Sequence, residues 1–418
     1  MKRMCDSLFA THFLQNNDFY TQMKRHISTL VITLISVLCS SAQVVINTKA
    51  GDISMRLTGR TSLDIGMLAK TDEGTVNGVM LNDTRLGTML NFDDKWNAHF
   101  ELLLDNKTVS FRDITIAYSF DEHHSVKAGN YFMPFGAKIT GLAYKFCEDA
   151  PVDFAISPNR KMGTAYFYTS DKLNITAGIF SDGNADAKAL DQGWNLAGKV
   201  VYRPIINDNK VLHFGFAPLY TQSSNSVEFK GIIPSTIGMP MSVGGYMSAK
   251  NVFRLEGEAL YINGRFYAEA RYQRADVSLH NESYTADEEN VENEHISVSL
   301  HSSYYEYVGE NSYEGKKTNS DKITAEGFYA QMSFLLMGDQ QQYHKAMAFS
   351  IAPAPKSLEL LLRVSHLNIE EIGRTTDITV GLTYHFNKYL NAKINAVTAS
   401  SSVEDMIFAL QGRLQFSF

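Results

Sequence analysis

The chain has 418 residues; 44% are hydrophobic, 11% are aromatic and only 9 are proline, and the formal net charge is -7. That composition excludes a disordered chain. The charge balance lacks the basic footprint of a nucleic-acid binder.

In chain order, residues 1–22 carry no structural pattern and read as an upstream extension. From Met23 the sequence runs MKRHISTLVITLISVLCSSAQ. Lys24 and Arg25 give a charged start, Leu30 to Cys39 is a short apolar run, and Ser40, Ser41 and Ala42 are small. Residues 23–42 therefore read as a secretory signal cleaved near Ala42. A transmembrane anchor fits less well, because the run is too short and ends in small residues. Leu38 stands where a lipoprotein site wants a small residue. Cleavage removes Cys5 and Cys39, so Cys147 has no disulfide partner in the mature chain. No histidine has a spacing that ties it to Cys147, which reads as a small buried hydrophobe.

From residue 43 onward period-two alternation recurs. Trp96, Ala98, Phe100, Leu102 and Leu104 oppose Lys95, Asn97, His99 and Glu101. Phe266, Ala268, Ala270 and Tyr272 oppose Arg265, Tyr267, Glu269, Arg271 and Gln273. At the end, Met406, Phe408, Leu410, Leu414, Phe416 and Phe418 oppose Gln411, Arg413, Gln415 and Ser417. These strands exceed the usual length in soluble sheets. About ten tilted residues match a bilayer's apolar thickness. In a soluble sandwich the greasy faces would meet in a core; in an outer-membrane barrel they face lipid and the polar faces line water. Strand length, the signal and the Tyr and Phe near strand ends favour the barrel.

Tight turns are expected at Asp93-Asp94, Asp121-Glu122, Ser170-Asp171, Asn263-Gly264 and Asn387-Lys388. Longer connections fall at 70–81, 132–160, 181–193, 223–250, 277–322 and 400–405. Short and long joins mostly alternate, as periplasmic turns and external loops do. The reading is an all-β transmembrane antiparallel barrel of about sixteen strands, in one domain over residues 43–418. A further pair within 295–307 would make eighteen. Residues 338–356 form an unusually long connection for the periplasmic side.

Several stretches together carry a family resemblance: VSFRDITIAYSF, KAGNYFMPFG, SPNRKMGTAYFY, ITAGIFSDG, GWNLAGKVVYRP and the closing YHFNKYLNAKINAV with FALQGRLQFSF. The chain resembles the phosphate-selective porin O and P family of Gram-negative outer membranes, from about Arg85 to Phe418. The resemblance implies a sixteen-stranded, usually trimeric barrel whose third external loop folds inward and narrows the pore. It also makes Leu414, Phe416 and Phe418 look like the signal read by the barrel-assembly machinery.

Residues 132–160 occupy the place of that loop. Pro134 stops ladder pairing, and Gly136 and Gly141 permit bends. Phe135, Leu142, Tyr144, Phe146 and Phe154 would anchor it against the barrel wall. The expected constriction carries Lys138, Lys145, Glu148, Asp149, Asp153, Arg160 and Lys161. The wall on the polar parity offers Arg56, Arg60, Arg85, Lys199, Arg254, Arg265, Arg271, Arg363 and Arg413, together with Glu101, Glu256, Glu258 and Glu269. Arg203, Lys393, Asp64, Asp113 and Glu359 share that parity. Guanidinium rows suit oxyanions, but wall glutamates can neutralise them. The wall thus supports general diffusion of small hydrophilic solutes, with anion (phosphate or carboxylate) preference as the narrower reading. No lysine cluster matching the family's phosphate-selective members is identifiable.

The acidic run Asp287-Glu288-Glu289, with Glu292 and Glu294, lacks the glycine and spacing of an EF-hand and reads as a solvated loop. Neither a metal nor a cofactor is implied. The enzymatic motifs G-x-S-x-G, H-E-x-x-H, G-x-G-x-x-G and the P-loop are missing. The expected partners are outer-membrane lipid, solutes and further copies of the chain. Two competing readings are an outer-membrane β-barrel enzyme such as a lipase and a secreted soluble β-sandwich binding protein.

Overall fold

The computed structural model describes residues 44–48, 51–70, 74–105, 108–137, 145–184, 193–223, 226–238, 241–280, 303–309, 312–317, 320–402 and 406–418. The proposed signal, Lys138, Gly141, Leu142, Tyr144 and the acidic run at 287–294 lie outside the described residues.

Two units are distinguished, Met1–Arg56 and Leu57–Phe418. In the first, β1 (Val44–Thr48) pairs antiparallel with the opening of β2 (Gly51–Lys70), Val44 opposite Met55. The second unit continues with β3 (Gly74–Asn91), β4 (Trp96–Asp105), β5 (Thr108–Ser119), β6 (His124–Phe132), β7 (Arg160–Thr169), β8 (Leu173–Ser181), β9 (Trp194–Ile206) and β10 (Lys210–Gln222). Then come β11 (Ser226–Ile232), β12 (Met241–Asn263), β13 (Phe266–Leu279), β14 (Ser303–Gly309), β15 (Ser312–Lys317) and β16 (Lys322–Met337). The series ends with β17 (Gln342–His344), β18 (Phe349–Ile351), β19 (Ser357–Ile369), β20 (Gly373–His385), β21 (Leu390–Ser401) and β22 (Ile407–Ser417).

Sixteen of these strands, β2–β10, β12, β13, β16 and β19–β22, close an antiparallel barrel. The seam joins β2 to β22, from Arg60 opposite Ser417 to Lys70 opposite Ile407. Gly59 and Phe418 exchange two backbone hydrogen bonds of 3.0 Å there. Closure leaves no spanning edge unpaired, which hydrocarbon demands.

The alternation appears as expected. In β13, Tyr267, Glu269, Arg271 and Gln273 are buried, whereas Tyr272 is exposed. In β22, Gln411, Arg413 and Gln415 are buried, whereas Phe408, Leu410 and Leu414 are exposed. The apolar faces thus lie outside one closed sheet and do not meet across a sandwich core. The short joins are closed by local polar chemistry. Asp93, Asp121, Asn207 and Asn387 each accept from the backbone N–H groups two and three residues on. That is the Asx-turn bond of such residues. The turn at Asn207 adds one to those expected.

Three connections differ from expectation. Of the segment 70–81, residues from Gly74 onward already belong to β3. Near 295–307 lies the hairpin β14–β15, which pairs with β12 only at Gly245–Met247. That part of β12 also pairs with β11 and lies beyond the Asn251–Asn263 segment that pairs with β10. The hairpin therefore lengthens the external side without adding spanning strands, and the barrel count is sixteen, not eighteen. The long connection 338–356 folds into the small hairpin β17–β18.

Candidate functional site

The chain leaves β6 at Phe132 and returns into β7 at Arg160. Between them it enters the barrel. Gly136 has φ +78, and a Cβ there would lie 2.1 Å from Ser157 Oγ, so the bend needs glycine. A short helix, α1 (Pro151–Ile156), starts on a proline, which suits a first helical turn. Met133, Phe135, Val152 and Ile156 are at most 1% exposed and pack into one cluster with Val252, Val277, Ile323 and Leu367. The inward parity of β12, β13, β16 and β19 is thus apolar near the external end and polar or charged farther down. Each such fully buried loop side chain contributes about 1.5–3 kcal/mol.

Polar groups fix the rest of the loop to the wall. Gly136 N–H donates to Glu256 at 2.9 Å. Gln273 donates to Glu256 and Asp153, each at 2.9 Å. Lys145 Nζ lies 2.6 Å from Glu359 Oε1. Cys147 N–H donates to Asn395 Oδ1 at 2.7 Å, and Lys393 Nζ donates to Phe146 O at 3.1 Å. Arg363 donates to Glu148 O at 3.0 Å and Asp149 O at 3.3 Å. Arg413 binds Asp64 and reaches Glu148 Oε1 at 2.6 Å. Burial raises the Glu148 carboxyl to about 7 despite Arg413. Burial likewise raises Asp153 to about 7, against the attraction of Arg271. The Cys147 thiol is pushed up to about 11 by burial, which makes it an inert apolar residue.

Beneath the loop, Arg271 lies 3.1 Å from Glu256, 2.5 Å from Glu258 and 2.7 Å from Glu269. Lys199 lies 2.9 Å from Glu258. His213 bonds Glu258 at 3.0 Å and Tyr343 of β17 at 3.1 Å. Arg203 donates to the carbonyls of Ser170, Asp171 and Lys345. The hairpin β17–β18 is thereby drawn inward across the end that carries the short turns.

The open space lies on the other side. A cavity of about 1210 Å³ is bounded by β2–β9, by the end of β11, by Arg413 of β22, by the loop and by the hairpin. Its lining has eight basic side chains, Arg60, Arg85, Arg112, Lys127, Arg160, Lys199, Lys230 and Arg413. Four acidic ones accompany them: Asp83, Asp113, Glu148 and Asp149. Asp83 pairs with both Arg60 and Arg85. Arg160 pairs with Asp113 at 2.6 Å and covers the Phe132 ring at 4.0 Å. Arg112 forms no ion pair among the described residues, and its buried Nε has no acceptor. Lys127 Nζ lies 5.1 Å from the Tyr131 ring and 5.3 Å from the Phe167 ring.

The sequence model of a family described as phosphate-selective porin O and P matches residues 55–418. The chain belongs to that family. This porin also resembles solved outer-membrane structures. Against outer-membrane-expressed OmpT of Vibrio cholerae the TM-score is 0.54 at 10% identity, covering 90% of this chain and 100% of that one. Against the anion-selective porin from Comamonas acidovorans it is 0.51 at 13% identity, covering 88% and 100%. At such identities the likeness shows the fold. No curated protein sequence matches the chain.

The porin's sequence-expected residues divide into three groups. Lys145, Glu148, Asp149, Asp153, Glu256, Glu258, Glu269, Arg271, Arg363 and Arg413 join in fastening the loop or the wall beneath it. Arg60, Arg85, Glu101, Arg160 and Lys199 stand on the open side or beside it, Arg85 lying 3.8 Å from Glu101. Others stand apart. Lys161 is held by Asp182 at 2.7 Å. Arg254 is buried with Thr221 at 3.0 Å. Arg265 is exposed in the turn before β13, and Arg56 lies in the N-terminal unit. Sequence reasoning missed Asp83, Arg112, Lys127 and Lys230. Between Phe100↔Ile114 and Leu102↔Phe111 the register shifts, so Arg112 and Asp113 together oppose Glu101. This bulge turns both side chains to the lumen. An arginine among apolar outward positions was the available signal, because lipid exposure would be costly there.

Proposed function

We propose that the porin's water-filled channel conducts small hydrophilic solutes passively and prefers anions. The observation that carries this reading is the excess of basic over acidic side chains along the open wall, with Arg112 lacking an ion pair among the described residues. Charged rings at a narrow passage set ion preference. The cations beneath the loop contribute less, because carboxylates and loop carbonyls already occupy their donors.

In this reading the protein carries out no chemistry. It is secreted with cleavage near Ala42, inserted through recognition of Leu414, Phe416 and Phe418 by the assembly machinery, and trimeric in outer-membrane lipid. The short strands β4–β8 expose Trp96, Phe100, Phe111 and Tyr166 on their outer face, which suits contact between copies. The test is a planar bilayer under a KCl gradient. Stepwise currents with a reversal potential on the chloride side are expected. A sealed bilayer at high protein, or a potential on the potassium side, would overturn the reading.

A further inference from the structure

The open cavity is not uniformly polar. At the end carrying the short turns, Lys127 rises from β6 with its ammonium near the rings of Tyr131 and Phe167. No carboxylate pairs with it among the described residues; Asp113 acts on it only through space. The same cavity is also lined by Met347 and Phe349, which the inward hairpin delivers. A cation beside two aromatic faces, in a cavity that apolar hairpin side chains also line, is an unusual lining for a passage of inorganic ions.

We infer that this region is a binding site for organic carboxylates bearing a flat or bulky apolar body, and that it discriminates against inorganic phosphate. The inference rests on the anion-channel reading and narrows its solute class. Lys127 supplies one charge-assisted contact, enough for a single carboxylate. Phe167 and Met347, the accessible members of this group, can then cover the apolar body and exclude water from it, with Tyr131 and Phe349 buried behind them. Phosphate gains nothing from those faces. It carries more charge, is recognised best by several convergent donors, and would lose hydration against rings that return no hydrogen bonds.

The probes are benzoate and inorganic phosphate, added at equal concentration to single channels carrying chloride current. Benzoate is expected to interrupt the current in resolved events, and phosphate is not. Lys127→Gln and Phe167→Ala should each shorten the benzoate events roughly fivefold, the fold-change of a contact of cation–π size. Heat-modifiable electrophoretic mobility reports that each variant is folded. Phosphate blocking as strongly as benzoate would overturn the inference, as would benzoate events unchanged in both variants. Should wild-type protein form no channels, the conduction reading fails separately. Titration calorimetry of benzoate into the folded barrel in detergent then decides the site. Heat lost in Phe167→Ala supports it, and equal heat overturns it.

Discussion

Lys145 Nζ, on the loop that enters the barrel, lies 2.6 Å from Glu359 Oε1 on β19, and their side chains are 5% and 0% exposed. Ser333 and Gln341 donate to the same carboxylate. The pair fastens the loop far from either of its ends. Lys145→Met leaves that carboxylate buried without its cation, a loss of about 3–5 kcal/mol for such pairs. The melting temperature of the barrel in detergent should fall and open-channel noise should rise. Adding Glu359→Leu to Lys145→Met should recover most of the melting temperature, since the unpaired charge is then gone.

The loop should also be held less firmly as pH rises. Glu148 and Asp153 are both raised to about 7 by burial. A carboxyl raised in the docked state binds its proton more tightly than in the released state. Stability from these groups is therefore fullest below the ordinary carboxylate range and is lost as pH climbs from about 4 to about 7. Asp153 is fully buried, whereas 13% of the Glu148 side chain stays accessible, so Asp153 carries the larger share. Arg271, Asp149 and Glu256 act on Asp153, while Arg413, Asp149 and Asp64 act on Glu148. Single-channel noise should increase between pH 5 and pH 8, and Asp153→Asn should flatten most of that change.

Arg112→Gln removes a lumen cation without baring a paired acid. Its anion-to-cation permeability ratio should drop by up to about fivefold, since one unit charge beside the path is worth about 1 kcal/mol to a passing ion in water. The melting temperature should stay within about 1 °C, because no ion pair is broken. A reversal potential equal to that of the wild type would show that Arg112 does not face the ion path.

Deleting residues 137–153 should enlarge the conductance step, since the loop takes up one side of the lumen. Gly136→Ala tests the same point more gently. Its Cβ would collide with Ser157 at a backbone φ of +78, which disfavours any other residue. A loosened loop should raise the rate of large, brief openings in single-channel records. Unchanged step size in the deletion variant would show that the loop does not narrow the path.

Most of the barrel was legible because one-sided burial imposes period two on a strand. The parity of Glu269, Arg271 and Gln273 against Tyr272 survives unchanged in the structure. The inward loop was legible in part, from Phe135, Phe146 and Phe154 around a proline and glycines. Its seat was not, because Val252, Val277 and Ile323 share the inward parity with Glu256 and Arg271, and periodicity carries no information about height along a strand. Arg112 stayed hidden for a different reason. A bulge shifts register by a backbone irregularity that the residue types alone do not announce. Arg363 and Arg413 face inward as expected, yet the loop carbonyls that engage them belong to a segment remote in sequence.

The off-centre path divides the circumference into two arcs with different tolerance for change. On the arc from β12 to β22, most inward side chains clasp the loop or one another, and altering them weakens the whole assembly. On the arc from β2 to β9, Arg85, Arg112, Lys127 and Arg160 border the open cavity and none of them holds the loop's buried core. A descendant of this chain can therefore acquire a new diet by exchanging a handful of residues on the wet arc, while the mechanical arc is inherited intact.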